Sequence, residues 1–201
     1  EPYRHIARTW VRLGSLDKAR ENYHKAVELA PGISGLWRGK GQVCLLLYDL
    51  KCVQECLSQL KESHSSTVDF FMFKGDVHIA EQAYREASQA YEQALQRDPE
   101  HPAALVRLAM CSVILGHEQS ASLYYQKLQS MTSIPFEIKL QMADYWRLKG
   151  RPLQAEAVLR TAVRHDPGNR LLQERLAELL IDQGSFQQAL KLVQSLLEGS
   201  I

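Results

Sequence analysis

Arg4, Arg8 and Arg12 recur at every fourth residue, and Glu174, Glu178 and Asp182 do the same near the far end of the chain. Residues at that spacing share one helix face, so the sequence predicts a cationic stripe at the start and an anionic stripe at the end. The chemistry of such stripes is ionic. Guanidiniums take carboxylates through paired, charge-assisted hydrogen bonds, and complementary charge selects a partner more than it adds raw affinity. A solvated helix face produces the same spacing, so the stripes mark candidate sites and no more.

Other reactive side chains carry less. Cys44, Cys52, Cys56 and Cys111 fall in segments that read as helix, with Cys52 and Cys56 four apart on one face. That spacing suits a redox pair or half a metal site. No CxxC and no clustered histidine accompanies them, so small apolar packing is the preferred reading. Helical cysteines without a framework point to a reducing compartment such as the cytoplasm, with the bacterial periplasm as the alternative. The histidines His5, His24, His64, His78, His101, His117 and His165 are scattered. No phosphate loop, HExxH, GxSxG or GxGxxG motif is present, and Gly39-Lys40-Gly41 is too short to cradle a phosphate. We expect no catalytic residue, metal or cofactor, and a protein that is not an enzyme.

The elements that position these residues follow from a period. Pro31, Pro99 and Pro167 stand 68 residues apart, twice 34, each after a segment that reads as helix (Ala19–Ala30, Ala87–Asp98, Ala155–Asp166). Proline just past a helix end cannot continue the hydrogen-bond ladder. With each proline at slot 32, six repeats span 1–33, 34–67, 68–101, 102–135, 136–169 and 170–201. Slot 8 is then always small (Ala7, Gly41, Gly75, Ala109, Ala143, Ala177). Slot 20 holds Ala19, Val53, Ala87, Ala121, Ala155 and Ala189, and slot 24 holds Tyr23, Leu57, Tyr91, Tyr125, Leu159 and Val193. Small residues permit two helices to approach to about 8–10 Å, and the large one fills the space beside them. Gly14, Gly116, Gly150 and Gly184 at slot 15 suit the turn between helices.

This pattern resembles the tetratricopeptide repeat family, whose run is W-x2-L-G-x2-Y, A-x3-F, then P. Tyr3, Ile6, Ala7, Trp10, Ala19, Tyr23, Ala26 and Pro31 match it. So do Phe71, Gly75, Ala87, Tyr91, Ala94 and Pro99, and Met142, Ala143, Trp146, Ala155, Leu159, Ala162 and Pro167. The resemblance implies an all-α, right-handed solenoid of six helix-turn-helix repeats, about twelve helices, as a single domain. The sequence departs from it at Val53, Leu60 and Ser65, and at Lys40 and Lys74, which occupy the normally apolar slot 7. Those lysines either extend past the core or mark slightly rotated helices. By register, His78 and Trp37 fall on packing slots.

The resemblance also implies a concave groove lined by slots 2, 5, 9, 12 and 13 of each first helix. In this sequence those slots give partner-binding candidates Arg4, Arg8, Arg12, Arg38, Gln42, Met72, Asp76, Val106, Met110, Val113, Asp144, Arg147, Glu174 and Glu178. The groove would begin basic, become apolar, and end acidic. The family's clamp for a chaperone C-terminus needs Lys and Asn where Arg38 and Gln42 stand, and Asn where Phe73 stands, so that ligand does not fit.

Composition narrows the partner class. Charged residues make up 23% yet cancel to +1, which weighs against an RNA-binding repeat held by phosphate contacts. No apolar run reaches the length of a membrane span. The expected partner is a protein or peptide segment, with no nucleic acid and no membrane insertion. The chain opens at Glu1 and ends with Leu196, Leu197, Ser200 and Ile201 without a polar capping helix. We therefore expect a fragment of a longer chain, with self-association through the uncapped end as an option. The leading function is a non-catalytic interaction scaffold. The alternative is a docking or regulatory segment of a larger assembly, such as a cell-envelope secretion machine or a multidomain enzyme.

Overall fold

The computed structural model describes residues 2–131 and 134–198, apart from the side chains of Gln129 and of residues 195–198. Those residues form twelve helices and no strand. First helices are α1 (Pro2–Arg12), α3 (Ser34–Leu46), α5 (Val68–Ala80), α7 (Pro102–Ile114), α9 (Phe136–Leu148) and α11 (Arg170–Asp182). Second helices are α2 (Leu16–Leu29), α4 (Leu50–His64), α6 (Tyr84–Arg97), α8 (Glu118–Gln129), α10 (Pro152–His165) and α12 (Phe186–Glu198). From repeat 2 onward every first helix starts on slot 1, and every second helix starts on slot 17 in all six repeats. No described helix is long and apolar enough to cross a membrane.

Local chemistry sets these boundaries. Asp49, Thr67 and Asn169 cap α4, α5 and α11 by accepting the N–H of Cys52, Phe70 and Leu172. Pro102 and Pro152 stand in first turns, where a missing N–H costs nothing. Each first helix ends in the same turn, in which the residue at slot 16 donates to the carbonyl at slot 11: Ser15 to Trp10, Asp49 to Cys44, Ala83 to His78, His117 to Ser112, Arg151 to Trp146, and Ser185 to Leu180. That turn needs a left-handed residue at slot 15. Glycine supplies it four times, with φ between 65° and 78°, while Tyr48 (55°) and Gln82 (59°) adopt it without glycine's freedom.

The chain divides into two compact units, Glu1–Ala121 and Ser122–Ile201. In the first, successive hairpins pack on one another around small residues. Ala7 and Ala19 are fully buried with Tyr23 and Val43, and Trp10, Val11, Leu16 and Leu47 close over them. Gly75 lies under the ring of Tyr91: a Cβ there would stand 2.4 Å from it. In the second unit Tyr125 stacks on Tyr145 at 3.7 Å between centroids, and Trp146 meets Tyr145 edge-on at 4.9 Å. Each large apolar side chain buried this way contributes roughly 1.5–3 kcal/mol.

Some expectations need correction or fall outside the described residues. The cysteines are not all free packing residues. Cys44 and Cys52 form a disulfide across the α3–α4 turn, their Cα atoms 5.9 Å apart, while Cys56 and Cys111 are free and buried. Spacing within one helix concealed a pair that the hairpin brings together, and the bond removes the premise for a reducing compartment. Lys40 is buried, with Nζ 3.0 Å from Glu55. Slot 24 fails as a core position in repeat 2, where Leu57 is half-buried and Cys56 takes the interior place. Glu1, Ser200 and Ile201 lie outside the described residues, as do the side chains of Leu196 and Leu197, and with them the expectation of an uncapped end.

Ala87 is fully buried at the crossing of α5 and α6. Ala87→Leu should overpack that crossing and cost about 1–3 kcal/mol, seen as a lowered urea midpoint. An unchanged midpoint would refute the register.

Candidate functional site

On the first helices of repeats 2 to 4, polar side chains bond across the period. Ser34 Oγ donates to Asp69 at 2.6 Å and Arg38 Nη1 to the other oxygen of Asp69 at 3.1 Å. Gln42 Nε2 donates to Asp76 at 2.9 Å. On its other oxygen Asp76 accepts the phenol of Tyr91 at 2.9 Å and faces Arg107 Nε at 3.6 Å. The Asp76 side chain is only 8% exposed, and three groups replace the water it has lost. Burial, and next the Asp76 carboxylate, push the Tyr91 phenol above its usual range. These carboxylates are thus committed to the protein's own helices.

Repeat 1 inverts that arrangement. Tyr23 stands 68 residues before Tyr91, and Arg8 stands 68 residues before Asp76. Burial raises the Tyr23 phenol, opposed by the positive charges of Arg8, Arg4 and Arg38 in that order. Arg8 is exposed and has no ion pair among the described residues. Where repeat 3 places its own carboxylate beside the tyrosine, repeat 1 presents a guanidinium.

The acidic stripe in the second unit is largely answered from within. Arg170 pairs with Glu174 at 2.8 Å and Arg175 with Glu178 at 3.2 Å. Arg147 reaches Asp144 at 3.9 Å and Asp182 at 3.7 Å. Exposed pairs of this kind add roughly 0–1 kcal/mol each, but they cancel most of the field that a basic partner would sense. The cleft among Leu140, Asp144, Arg147, Glu178 and Leu179 holds about 20 Å³, room for about one water. A larger hollow of about 340 Å³, lined by Met142, Val158 and Thr161 among others, contains none of the predicted groove residues.

Two predicted groove residues present no surface. Met72 and Val106 are buried at 1% and 0% exposure, because repeats packed side by side cover that part of the first-helix face. Met110 and Val113 are half-buried, Arg12 is exposed, and Arg4 is half-buried. Sequence reasoning missed Ser34, Tyr91 and Arg107. Polar partners 34 or 35 residues apart, as in Gln42–Asp76 and Ser34–Asp69, were the available signal.

Comparison with known proteins agrees with this architecture. The family model described as tetratricopeptide repeat matches residues 78–130 and 147–199. No curated protein sequence matches the chain. Among solved structures, the thermophilic TPR protein TTC0263 of Thermus thermophilus is 17% identical with a TM-score of 0.74, over 90% of this chain and 98% of that one. PilF of Pseudomonas aeruginosa is 18% identical with a TM-score of 0.60, over 97% and 89%. A tetratricopeptide repeat protein of Parabacteroides merdae is 17% identical with a TM-score of 0.57, over 98% and 78%. At these identities the likeness is one of fold.

His101 gives the face a pH dependence. Its Nδ1 accepts the N–H of Ala104 at 3.2 Å to cap α7, which only an unprotonated nitrogen can do. Burial, and next Arg38, lower its pKa, with Asp98 and Asp69 opposing. An unfolded histidine titrates near about 6.5. As pH falls below that value the unfolded chain takes up the proton first, so the contribution present at neutral pH is lost toward acid. His101→Asn keeps a capping acceptor without the titration. Between about pH 7 and about pH 5 wild type should lose more unfolding free energy than the variant, up to about 1.4 kcal/mol per pH unit. Identical pH profiles in urea titrations would exclude this role.

Proposed function

The chain belongs to the tetratricopeptide repeat family, and on that premise we propose that it is a scaffold whose first-helix face binds an acidic segment of a partner protein, docked on the basic stripe of repeat 1. Repeats of this family are in general non-catalytic protein–protein interaction modules. One correspondence carries the choice of partner: by register Arg8 stands where Asp76 stands beside the equivalent tyrosine, and its positive charge acts on Tyr23. A carboxylate from the partner supplies there the anion that repeat 3 supplies from its own chain. Arg4 and Arg12 extend the stripe by one helical turn on either side. Leu45, half-buried, and Leu46, exposed, offer apolar contact at the end of the next first helix. Arg38 and Gln42 act from behind, holding α3 to α5 through Asp69 and Asp76. In this reading Asp144, Arg147, Glu174 and Glu178 are spectators, because their charges are paired within the second unit.

The test uses fluorescence anisotropy with a labelled peptide of alternating glutamate and leucine. Arg8→Glu should weaken binding roughly tenfold or more, about 1.4 kcal/mol, with helicity and melting temperature unchanged. Glu178→Arg should leave it unaltered. Affinity for the peptide should fall as salt is raised. Equal affinity in wild type and Arg8→Glu would reject the stripe as the docking site.

A further inference from the structure

Repeat 2 concentrates features that weaken a helical hairpin. Its first helix, α3, contains Gly35, Gly39 and Gly41, each roughly 1 kcal/mol less favourable than alanine within a helix. Two of them are forced by packing: a Cβ on Gly39 would stand 2.4 Å from the ring of Tyr23, and one on Gly41 would stand 2.2 Å from Phe73. The turn that follows holds Tyr48 at φ 55° where four other repeats use glycine, a conformation that costs an L-residue roughly 1–2 kcal/mol. Lys40 is buried in the same hairpin and answered by Glu55 across it.

The disulfide spans this hairpin. Cys44 lies in the last turn of α3 and Cys52 in the first turn of α4, and the bond closes over the Tyr48 turn. The equivalent slots elsewhere hold Trp10 and Lys18, His78 and Glu86, Ser112 and Ser120, Trp146 and Gln154, and Leu180 and Gln188. None of these can make the bond, so the covalent link is confined to the repeat whose first helix carries three glycines and whose turn has none.

We propose that Cys44–Cys52 is a thiol-exchange site, at which a small thiol such as glutathione switches the α3–α4 hairpin between a braced and a loosened state. Cys52 is 8% exposed and Cys44 fully buried, so an incoming thiolate attacks Sγ of Cys52. The protein S–S bond breaks, and Cys44 leaves as a thiolate and takes a proton. A second thiolate attacks the added sulfur, Cys52 leaves and is protonated, and the small thiols depart as their own disulfide. Two electrons pass from the two small thiols to the protein, and the oxidised small disulfide reverses the sequence. Cys56, one turn beyond Cys52, does not scramble the pair: it is fully buried, and burial pushes its thiol up to about 12, leaving it protonated at neutral pH. Loosening reaches beyond the hairpin, because α3 carries Arg38 and Gln42, which hold Asp69 and Asp76 of α5.

The experiment compares the whole chain equilibrated with oxidised glutathione and with dithiothreitol. After denaturation, alkylation and mass spectrometry, the oxidised sample should show two labelled cysteines, Cys56 and Cys111, and the reduced sample four. Reduction should lower the melting temperature by roughly 5–10 °C. It should also speed hydrogen exchange in α3 and α4 before the rest of the first unit. Cys56→Ser should retain the response to reductant, and a Cys44→Ser, Cys52→Ser double variant should melt like the reduced protein in either buffer. Four labelled cysteines in the oxidised sample, equal melting of the two redox forms, or a response that survives in the double variant would each overturn the proposal.

Discussion

A tyrosine ring resting on a helix backbone with no Cβ to hold it away governs both the packing and the chemistry of the first unit. Tyr91 fills the crossing over Gly75, and Tyr23 fills the one over Gly39. Replacing either glycine with a larger residue would push apart helices whose side-chain burial requires close approach. The same geometry carries the ring through to the far side of the crossing, where Tyr91 delivers its hydroxyl to Asp76. Core packing and surface electrostatics therefore share one side chain. The residue that closes the hairpin also decides what sits beside it on the first-helix face.

That coupling explains why the charges on this face are unequal in consequence. A carboxylate as buried as Asp76 needs several polar groups converging on it: Gln42 and Tyr91 donate to it and Arg107 faces it at 3.6 Å, from three different helices. Once made, these bonds are structural and leave little for a partner to gain. In the second unit the arginines are exposed, and their pairs lie within single helices or reach between α9 and α11. They neutralise charge without ordering much. Arg8 differs from both: it is exposed and has no ion pair among the described residues.

The period made the fold legible. Small residues at slots 8 and 20, with a large one at slot 24, placed the helix pairs and their contacts, because steric demand at a crossing repeats whenever the crossing repeats. The candidate site was legible only in part. Slot position said which side chains face inward on a first helix, but not which of them the neighbouring repeat would cover, and Met72 and Val106 were lost to that cover. The disulfide was hidden for a related reason. A scan for cysteines on one helix face finds Cys52 and Cys56, while the bond joins Cys44 to Cys52 across a turn. Contacts inside the repeating pattern are encoded in slots. Contacts that break it are encoded in pairs, and pairs require the geometry of the turn.

Repeat 2 shows how such a break becomes necessary. It must admit Tyr23 from the repeat before and Phe73 from the repeat after, and both rings demand glycine in α3. Each glycine lowers the helix's own stability, so α3 depends on its surroundings more than its neighbours do. Where stability is shared between adjacent repeats, an intrinsically weak repeat lowers the stability of its neighbours as well as its own. The ties to α5 through Arg38 and Gln42 oppose opening on one side, and the Lys40–Glu55 pair opposes it within the hairpin. Only the covalent link acts on the unfolded hairpin as well as the folded one. It restricts the ends of a short loop whatever the helices do, and so it offsets a deficit that further contacts on a glycine-rich helix could not.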